Sequence, residues 1–95
     1  MTASHKFEIH EHLRLRMQQR GISIREIETV MNKGWLISTA RTGTHGKTYV
    51  FSYNKKWLGV YFEKKEVTVY YKIKDKSIIL LTAVAKYGKD FPKGR

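Results

Sequence analysis

The order of apolar and polar residues predicts two helices at the start of the chain. Between residues 7 and 19, Ile9, Leu13 and Met17 recur every four positions, which is typical of one edge of an amphipathic helix ending near Arg20-Gly21. A second helix begins at Ser23, because Ser23 and Glu26 have the spacing of a capping box. Its apolar positions 24, 27, 30 and 31 lie on one face, and Lys33-Gly34 ends the pattern.

After Gly34 the apolar period changes from that of a helix to two, which predicts β-strands. The turn residues of segments 42–46, 54–56 and 74–76 favour hairpins and therefore antiparallel pairing. Segment 78–84 is apolar on both faces, as expected of a central strand covered by the helices on one side. The predicted strands, rich in β-branched and aromatic residues, are 35–41, 48–53, 57–62, 67–73 and 77–85.

Together these elements predict an α+β fold with two N-terminal helices packed on a twisted antiparallel sheet of four to five strands. The helices occupy about residues 7–33, the sheet about 35–87, and a short basic tail 88–95. A chain of 95 residues without repeats or linkers is expected to form one domain.

Charge indicates the kind of partner. Nineteen Lys and Arg against eight Asp and Glu give a formal net charge of +11, which favours a polyanionic partner, nucleic acid before an anionic membrane surface. The absence of cysteine excludes disulfides, a thiol nucleophile and thiolate metal sites. No apolar run is long enough to span a bilayer and the first eight residues lack a secretory pattern, so we expect no membrane association and a cytoplasmic location.

The first predicted helix carries a row of candidate catalytic residues. His12, Arg16 and Arg20 are spaced by four, so they form a stripe at the edge of the apolar face. Arginine donates two parallel hydrogen bonds to phosphate, and histidine can move a proton near neutral pH, so the stripe could cleave RNA. The alternative is structural: these side chains extend out of the helix–sheet seam or pair with Glu8 or with backbone carbonyls.

The other histidines indicate no metal site. His10 and His12 are two residues apart, which on a helix directs them about 200° from one another. His45, in a glycine-containing loop, is more typical of a solvated turn residue than of a catalyst. The sequence contains no His-Glu-x-x-His motif, serine nucleophile elbow or phosphate-binding Gly-Lys-Ser/Thr loop. We therefore expect neither a metal nor another cofactor.

The later strands carry a candidate basic surface. Lys72, Lys74 and Lys76 alternate with Tyr71 and Ile73, and the pairs 55–56 and 64–65 are also lysines. Such lysines could bind phosphates, but lysines at sheet edges also prevent aggregation. The tyrosines at 53, 61 and 70 could stack on unpaired bases or simply pack against neighbouring strands.

The first predicted helix and the turn after it also carry a family resemblance. The string His12-Leu13-Arg14-Leu15-Arg16-Met17-Gln18-Gln19-Arg20-Gly21-Ile22-Ser23, with residues 26–31 and Gly34, resembles the DUF4258 family, whose members open with His-x-x-x-Arg-Met-x-x-Arg-Gly-Ile-Ser. The family's apolar strand with a threonine corresponds to residues 78–84, and the resemblance covers about residues 10–86. DUF4258 is grouped with the RelE/ParE and BrnT toxins, so the resemblance implies a RelE-like fold.

The same resemblance implies an activity and its site residues. The implied reaction is RNA cleavage without metal, in which the 2′-hydroxyl attacks the neighbouring phosphate and leaves a 2′,3′-cyclic phosphate. The implied partners are RNA, including ribosome-bound mRNA, and an acidic antitoxin protein. A non-catalytic nucleic-acid- or protein-binding module of the same fold is the alternative. The candidate catalytic residues are His12, Arg16, Arg20, Thr82 and Tyr87, and the candidate nucleic-acid-binding residues are Arg41, Lys72, Lys74 and Lys86.

Overall fold

The computed structural model describes residues 7–39 and 41–91, in which two helices pack on a five-stranded sheet. The predicted α+β class is confirmed. The strand order is β1-β5-β4-β3-β2, which makes β4 the middle strand and β5 an internal one. The elements are β1 (Phe7–Ile9), α1 (Glu11–Arg20), α2 (Ile24–Lys33), β2 (Trp35–Ile37), β3 (His45–Trp57), β4 (Val60–Lys74) and β5 (Ser77–Gly88).

The predicted first helix is wrong at its beginning. Residues 7–9 form strand β1, which pairs in parallel with residues 78–80 of β5, so the sheet is mixed rather than wholly antiparallel. Phe7 and Ile9 alternate with Glu8, a period that suits a strand, and both pack against the core. The helix begins only after His10, whose extended backbone and side chain cap α1.

The predicted turn at residues 54–56 is also wrong, because these residues lie within β3. The ladder between β3 and β4 shifts register between Ser52 and Lys55, and Asn54 adopts a φ of +50°, as in a β-bulge. The chain reverses at Leu58-Gly59, where both φ values are positive, as a two-residue type I′ turn requires. The segment 57–62 therefore spans a turn rather than forming one strand.

Two other connections follow the sequence more closely. Asp75 and Lys76 have φ values of 51° and 69° and form the tight turn predicted at 74–76. Strand β2 ends at Ile37 instead of Arg41, and residues 38–39 and 41–44, between β2 and β3, lie outside the strands. At the chain ends, residues 1–6 and 92–95 lie outside the described residues, so only the start of the predicted tail is seen, and Gly88 ends β5.

The helices cover one face of the sheet, and the core lies between them and the strands. Its fully buried side chains include Leu13 of α1, Ile27 and Val30 of α2, Val67 of β4 and Leu80 of β5. Helix α1 packs on β5, whereas α2 packs on β3 and β4. None of the helices in residues 7–39 and 41–91 is long and apolar enough to cross a membrane.

The junction between the helices is fastened to the sheet by a buried lysine. Lys65 of β4 is only 2% exposed, and its Nζ donates hydrogen bonds to the Gly21 carbonyl at 2.6 Å and to the Glu26 carboxylate at 2.8 and 3.0 Å. Gly21 itself has φ +68°, and a Cβ added there would lie 2.5 Å from the Trp57 ring. Only glycine fits this position without rearrangement.

Candidate functional site

A groove of about 570 Å³ brings the start of α1 close to the loop after β2 and to two sheet strands. Its lining is largely apolar and includes imidazole, guanidinium and hydroxyl groups. A volume of this size fits a small molecule or one nucleotide unit of a longer chain. The lining residues are His10, His12, Ser38, Thr39, Arg41, Thr44, Tyr70, Leu81 and Thr82.

His12 and Arg16 form a hydrogen-bonded pair at this groove. Arg16 Nε donates to His12 Nε2 at 3.3 Å, and Arg16 Nη1 donates to Gln19 Oε1 at 2.9 Å. The four-residue spacing on α1 places the two side chains one turn apart, as the sequence predicted. His12 therefore presents an imidazole next to a guanidinium, in a position open to solvent.

Thr82 and Arg41 reach the same groove from different directions. In the ladder between β4 and β5, Tyr70 pairs with Thr82 and Tyr71 pairs with Leu80, so Leu81 is the extra residue of a β-bulge. Both Leu81 and Thr82 line the groove beside Tyr70. Arg41 follows β2 and precedes β3, and its side chain is exposed. The structure thus brings His12, Thr82 and Arg41 together, with Arg16 bonded to His12.

Arg20 and Tyr87, in contrast, are bonded to each other and to the sheet. Arg20 Nη1 donates to the Ala83 carbonyl at 2.6 Å, and the Tyr87 hydroxyl donates to the Arg20 carbonyl at 2.8 Å. Neither side chain lines the groove. Arg20 therefore follows the structural alternative in which the stripe pairs with backbone carbonyls.

Tyr87 is surrounded by other aromatic rings. Its ring stacks on that of Trp57 with centroids 5.2 Å apart and contacts Tyr53 and Phe62 edge-on or tilted. Burial in this cluster, with smaller contributions from Tyr53 and Glu26, raises the pKa of Tyr87 to about 12. The phenol is therefore suited to donating a fixed hydrogen bond rather than to exchanging protons near neutral pH.

The predicted nucleic-acid-binding lysines lie outside the groove. Lys72 and Lys74 are exposed at the end of β4 near the Asp75-Lys76 turn, and Lys86 is exposed on β5. Because Tyr71 points into the core, the alternation of the strand directs Lys72 to the opposite sheet face, the face to which Tyr70 also points. Lys86 is paired in register with Glu66, an acid on the neighbouring strand.

The sequence-based assignment missed His10 and the hydroxyl groups of Ser38, Thr39 and Thr44 between β2 and β3. His10 follows strand β1 and caps helix α1, and the signal was present in the change from two-residue alternation to four-residue spacing around it. The loop was hidden because residues 38–41 look like strand. His45 lies outside the groove, where its ring contacts Tyr71 at a centroid distance of 5.3 Å.

Among the described residues, no group of three or more His, Cys, Asp or Glu side chains is arranged to hold a metal ion.

Comparison with known proteins gives one match. No curated protein and no solved structure matches the chain. Residues 9–85 match the family described as "Domain of unknown function (DUF4258)", a range that includes both helices, most of the sheet and every residue given above as lining the groove. The chain therefore belongs to the DUF4258 family.

Proposed function

We propose that this protein is a ribonuclease of the RelE-like toxin type, which cleaves RNA without a metal ion at the groove beside α1. The observation that carries the proposal is the His12–Arg16 pair, which shares the groove with Arg41 and Thr82. An imidazole bonded to one arginine, with a second arginine lining the same groove, is a suitable arrangement for an anionic substrate that must lose a proton. The net charge of +11 supports an RNA substrate.

The reaction needs one proton acceptor and cations at the phosphate. His12 Nε2 takes the proton of the ribose 2′-hydroxyl when Arg16 turns from His12 to the phosphate. The 2′-oxygen then bonds to phosphorus, and the bond from phosphorus to the 5′-oxygen breaks. The 5′-oxygen takes a proton from water, so the products are a 2′,3′-cyclic phosphate and a 5′-hydroxyl. A positioned general base of this kind contributes about 10²- to 10⁴-fold in rate.

The remaining candidate residues have supporting roles in this proposal. Arg16 and Arg41 stabilise the charge that develops on the phosphate, and the Thr82 hydroxyl orients the phosphate or His12. Arg20 and Tyr87 act as positioning residues, because their bonds to Ala83 and to each other hold the end of α1 on β5. The exposed lysines of the sheet, Lys72, Lys74 and Lys86, neutralise phosphates of the flanking nucleotides.

The proposed RelE-like function also implies a partner protein and a cellular compartment. A toxin of this type acts on cytoplasmic RNA, including mRNA on the ribosome, and is neutralised by an antitoxin. A positively charged chain would associate rapidly with an acidic antitoxin segment, because opposite charges steer the encounter. Both statements follow from the family relationship that the resemblance implies.

The test is an RNA cleavage assay in excess EDTA. Purified protein is incubated with 5′-labelled RNA, and the fragments are compared with those of His12→Ala and Arg16→Ala. Arg14→Ala is the matched control, because Arg14 is an exposed arginine of α1 that neither lines the groove nor, unlike Arg16, bonds to His12. We expect fragments ending in cyclic phosphate from the wild type and the control, and at least 100-fold slower cleavage from the two groove variants.

A non-catalytic binding module predicts a different result in the same experiment. RNA would remain intact but change its mobility, with an affinity that falls steeply as salt is raised. For about five phosphates of a single strand, the slope of log affinity against log salt would be about −3.5. Adding ribosomes to the reaction tests cleavage that depends on the ribosome. Intact RNA under both conditions would refute the ribonuclease.

A further inference from the structure

We propose that His10 is a second functional histidine of the groove, a hydrogen-bond donor with a fixed tautomer that binds a non-bridging oxygen of the substrate phosphate. The inference deepens the proposed function and rests on it for the identity of the anion. It goes beyond the stripe at His12 and Arg16, because His10 lies before the helix and reaches the groove by a different geometry.

One hydrogen bond determines where His10 carries its proton. The backbone amide of His12 donates to His10 Nδ1 at 3.1 Å, so Nδ1 must be an acceptor and Nε2 must carry the ring proton. Within the described residues no protein acceptor hydrogen-bonds to this Nε2–H. The helix cap thus leaves one donor of known position on a side chain that lines the groove.

The neighbouring histidine presents the opposite tautomer. Because Arg16 Nε donates to His12 Nε2, that nitrogen is the acceptor of the His12 ring. The two rings lie edge to face, with centroids 6.4 Å apart. One imidazole therefore offers an N–H at Nε2, while the other has at Nε2 a lone pair that becomes available when Arg16 turns to the phosphate. This pair can bind a phosphate oxygen and take up a hydroxyl proton without either ring changing its tautomer first.

The backbone holds His10 in place on both sides. Its amide donates to the Leu80 carbonyl of β5 at 3.2 Å, and its carbonyl accepts from the Leu13 amide at 2.9 Å. The side chain is held by the cap, so ring and backbone are both anchored before any substrate arrives. Such preorganisation is what a ligand-binding donor needs, since less freedom is lost on binding.

The chemistry of the groove selects an anion as the acceptor. Among the described residues, the other ionisable groups that line it are His12, Arg41 and the Tyr70 phenol, with Arg16 bonded to His12, and none of the lining residues is a carboxylate. A phosphodiester is the anion that satisfies several such donors at once, because its two non-bridging oxygens accept from different directions. His10 then supplies a directional hydrogen bond, and the arginines supply charge.

The experiment separates the capping role of His10 from the binding role. The probe is a 2′-O-methyl RNA trinucleotide, which cannot be cleaved by 2′-hydroxyl attack. His10→Asn keeps a good helix cap but has no donor where the imidazole Nε2–H lies, whereas His10→Ala loses both. Arg14→Ala controls for general effects on α1. We expect His10→Asn to bind the probe about tenfold more weakly, with an unchanged unfolding temperature.

A second measurement detects the ligand contact directly. In ¹⁵N-labelled wild-type protein, the imidazole nitrogens of His10 are expected to show the Nε2–H tautomer, and the probe should shift the Nε2 resonance. Equal affinity of wild type and His10→Asn, or an Nε2 resonance that does not respond to bound probe, would overturn the inference. If His10→Asn is destabilised, the resonance alone decides.

Failure of the His10 proposal can be distinguished from failure of the ribonuclease proposal. If unmodified RNA is never cleaved, but the probe binds and depends on His10, then the phosphate site stands and the catalytic proposal fails. If RNA is cleaved and His10→Asn cleaves and binds as well as the wild type, the ribonuclease stands and His10 is only a cap. If the wild type does not bind the probe, the phosphate role of His10 is refuted.

Discussion

The buried ion pair between Lys65 and Glu26 predicts that replacing one partner lowers the free energy of unfolding more than replacing the other. The Lys65 side chain is 2% exposed and that of Glu26 is 20% exposed, with 2.8 Å between Nζ and Oε1. At an effective dielectric constant of about 20, their attraction is about 6 kcal/mol. Most of this is offset by desolvation, so the cost of breaking the pair depends on which charge is left behind.

Glu26→Gln should be the more damaging change. Glutamine keeps an oxygen that can accept from the Ser23 amide and from Lys65, so the capping box survives and only the charge is lost. The ammonium of Lys65 is then buried without a counterion. We expect a loss of about 3–4 kcal/mol in the free energy of unfolding.

Lys65→Met should lower the free energy of unfolding by a smaller amount, about 2 kcal/mol. Methionine fills similar space against the Tyr53 and Tyr87 rings, and the Glu26 carboxylate stays in contact with water and with the Ser23 amide. The remaining cost is the Gly21 carbonyl, which loses the hydrogen bond from Lys65. The double variant should be no less stable than Lys65→Met, because it contains no unpaired charge.

Urea unfolding followed by tryptophan fluorescence and far-ultraviolet circular dichroism measures all three variants. With a slope of about 1 kcal/mol per molar urea, Glu26→Gln should lower the midpoint by about 3 M. The reasoning is refuted if Lys65→Met costs more than Glu26→Gln, or if the costs of the single substitutions add in the double variant.

Three further predictions follow from the contacts at the end of α1 and the start of α2. Arg20→Ala should lower stability by about 1.5 kcal/mol, because the Ala83 carbonyl loses a charged donor; an unchanged urea midpoint would contradict this. The pKa of Tyr87 is raised from 10.0 to about 12, so the stability that its protonated phenol contributes is complete below pH 10 and is lost as the pH rises to 12. In urea melts at pH 9 and 11, Tyr87→Phe should therefore lose less stability between the two pH values than the wild type does. Ser23→Ala should lower the free energy of unfolding by about 1 kcal/mol, because the Glu26 amide loses its capping hydrogen bond. An unchanged unfolding temperature would contradict this.

The fold was predictable where local chemistry and tertiary packing agree. The capping box at Ser23 and the apolar face of α2 mark that helix at its observed bounds, Ile24–Lys33. The start of α1 was mispredicted because Ile9 satisfies a four-residue spacing and also a two-residue alternation. Parallel pairing with β5 decides between them, and such a long-range contact is invisible to a local pattern.

The turn between β3 and β4 was misplaced for a similar reason. Asn54-Lys55-Lys56 is polar and looks like a turn, whereas Leu58 is a bulky apolar residue that rarely adopts positive φ. The strands continue through the polar segment by means of a bulge, and Gly59 supplies the turn geometry one residue after Leu58. Polarity alone therefore overestimated the number of strands in this region and shortened those that exist.

The candidate site was predictable along α1 and not across the sheet. The spacing of His12 and Arg16 correctly places them as neighbours, because one helical turn determines it. The same spacing includes Arg20, whose side chain binds the Ala83 carbonyl instead of facing the groove. Whether a residue at a helix edge meets ligand or backbone depends on what the sheet presents there, which helical periodicity does not encode.

Because His12 lines the groove whereas Arg20 binds a backbone carbonyl, the family motif consists of two parts with separate physical roles. His12 lines the groove and Arg16 is bonded to it, so this part of the motif is placed to meet a ligand. Arg20-Gly21-Ile22-Ser23 belongs to the helix junction, in which every residue serves folding through a carbonyl bond, a left-handed turn against Trp57, a buried side chain or a helix cap. A chain that matched only the second part would share this junction without the groove. Ribonuclease activity must therefore be judged by substitutions at His12 and Arg16, since loss of activity on changing the junction would report only a disturbed fold.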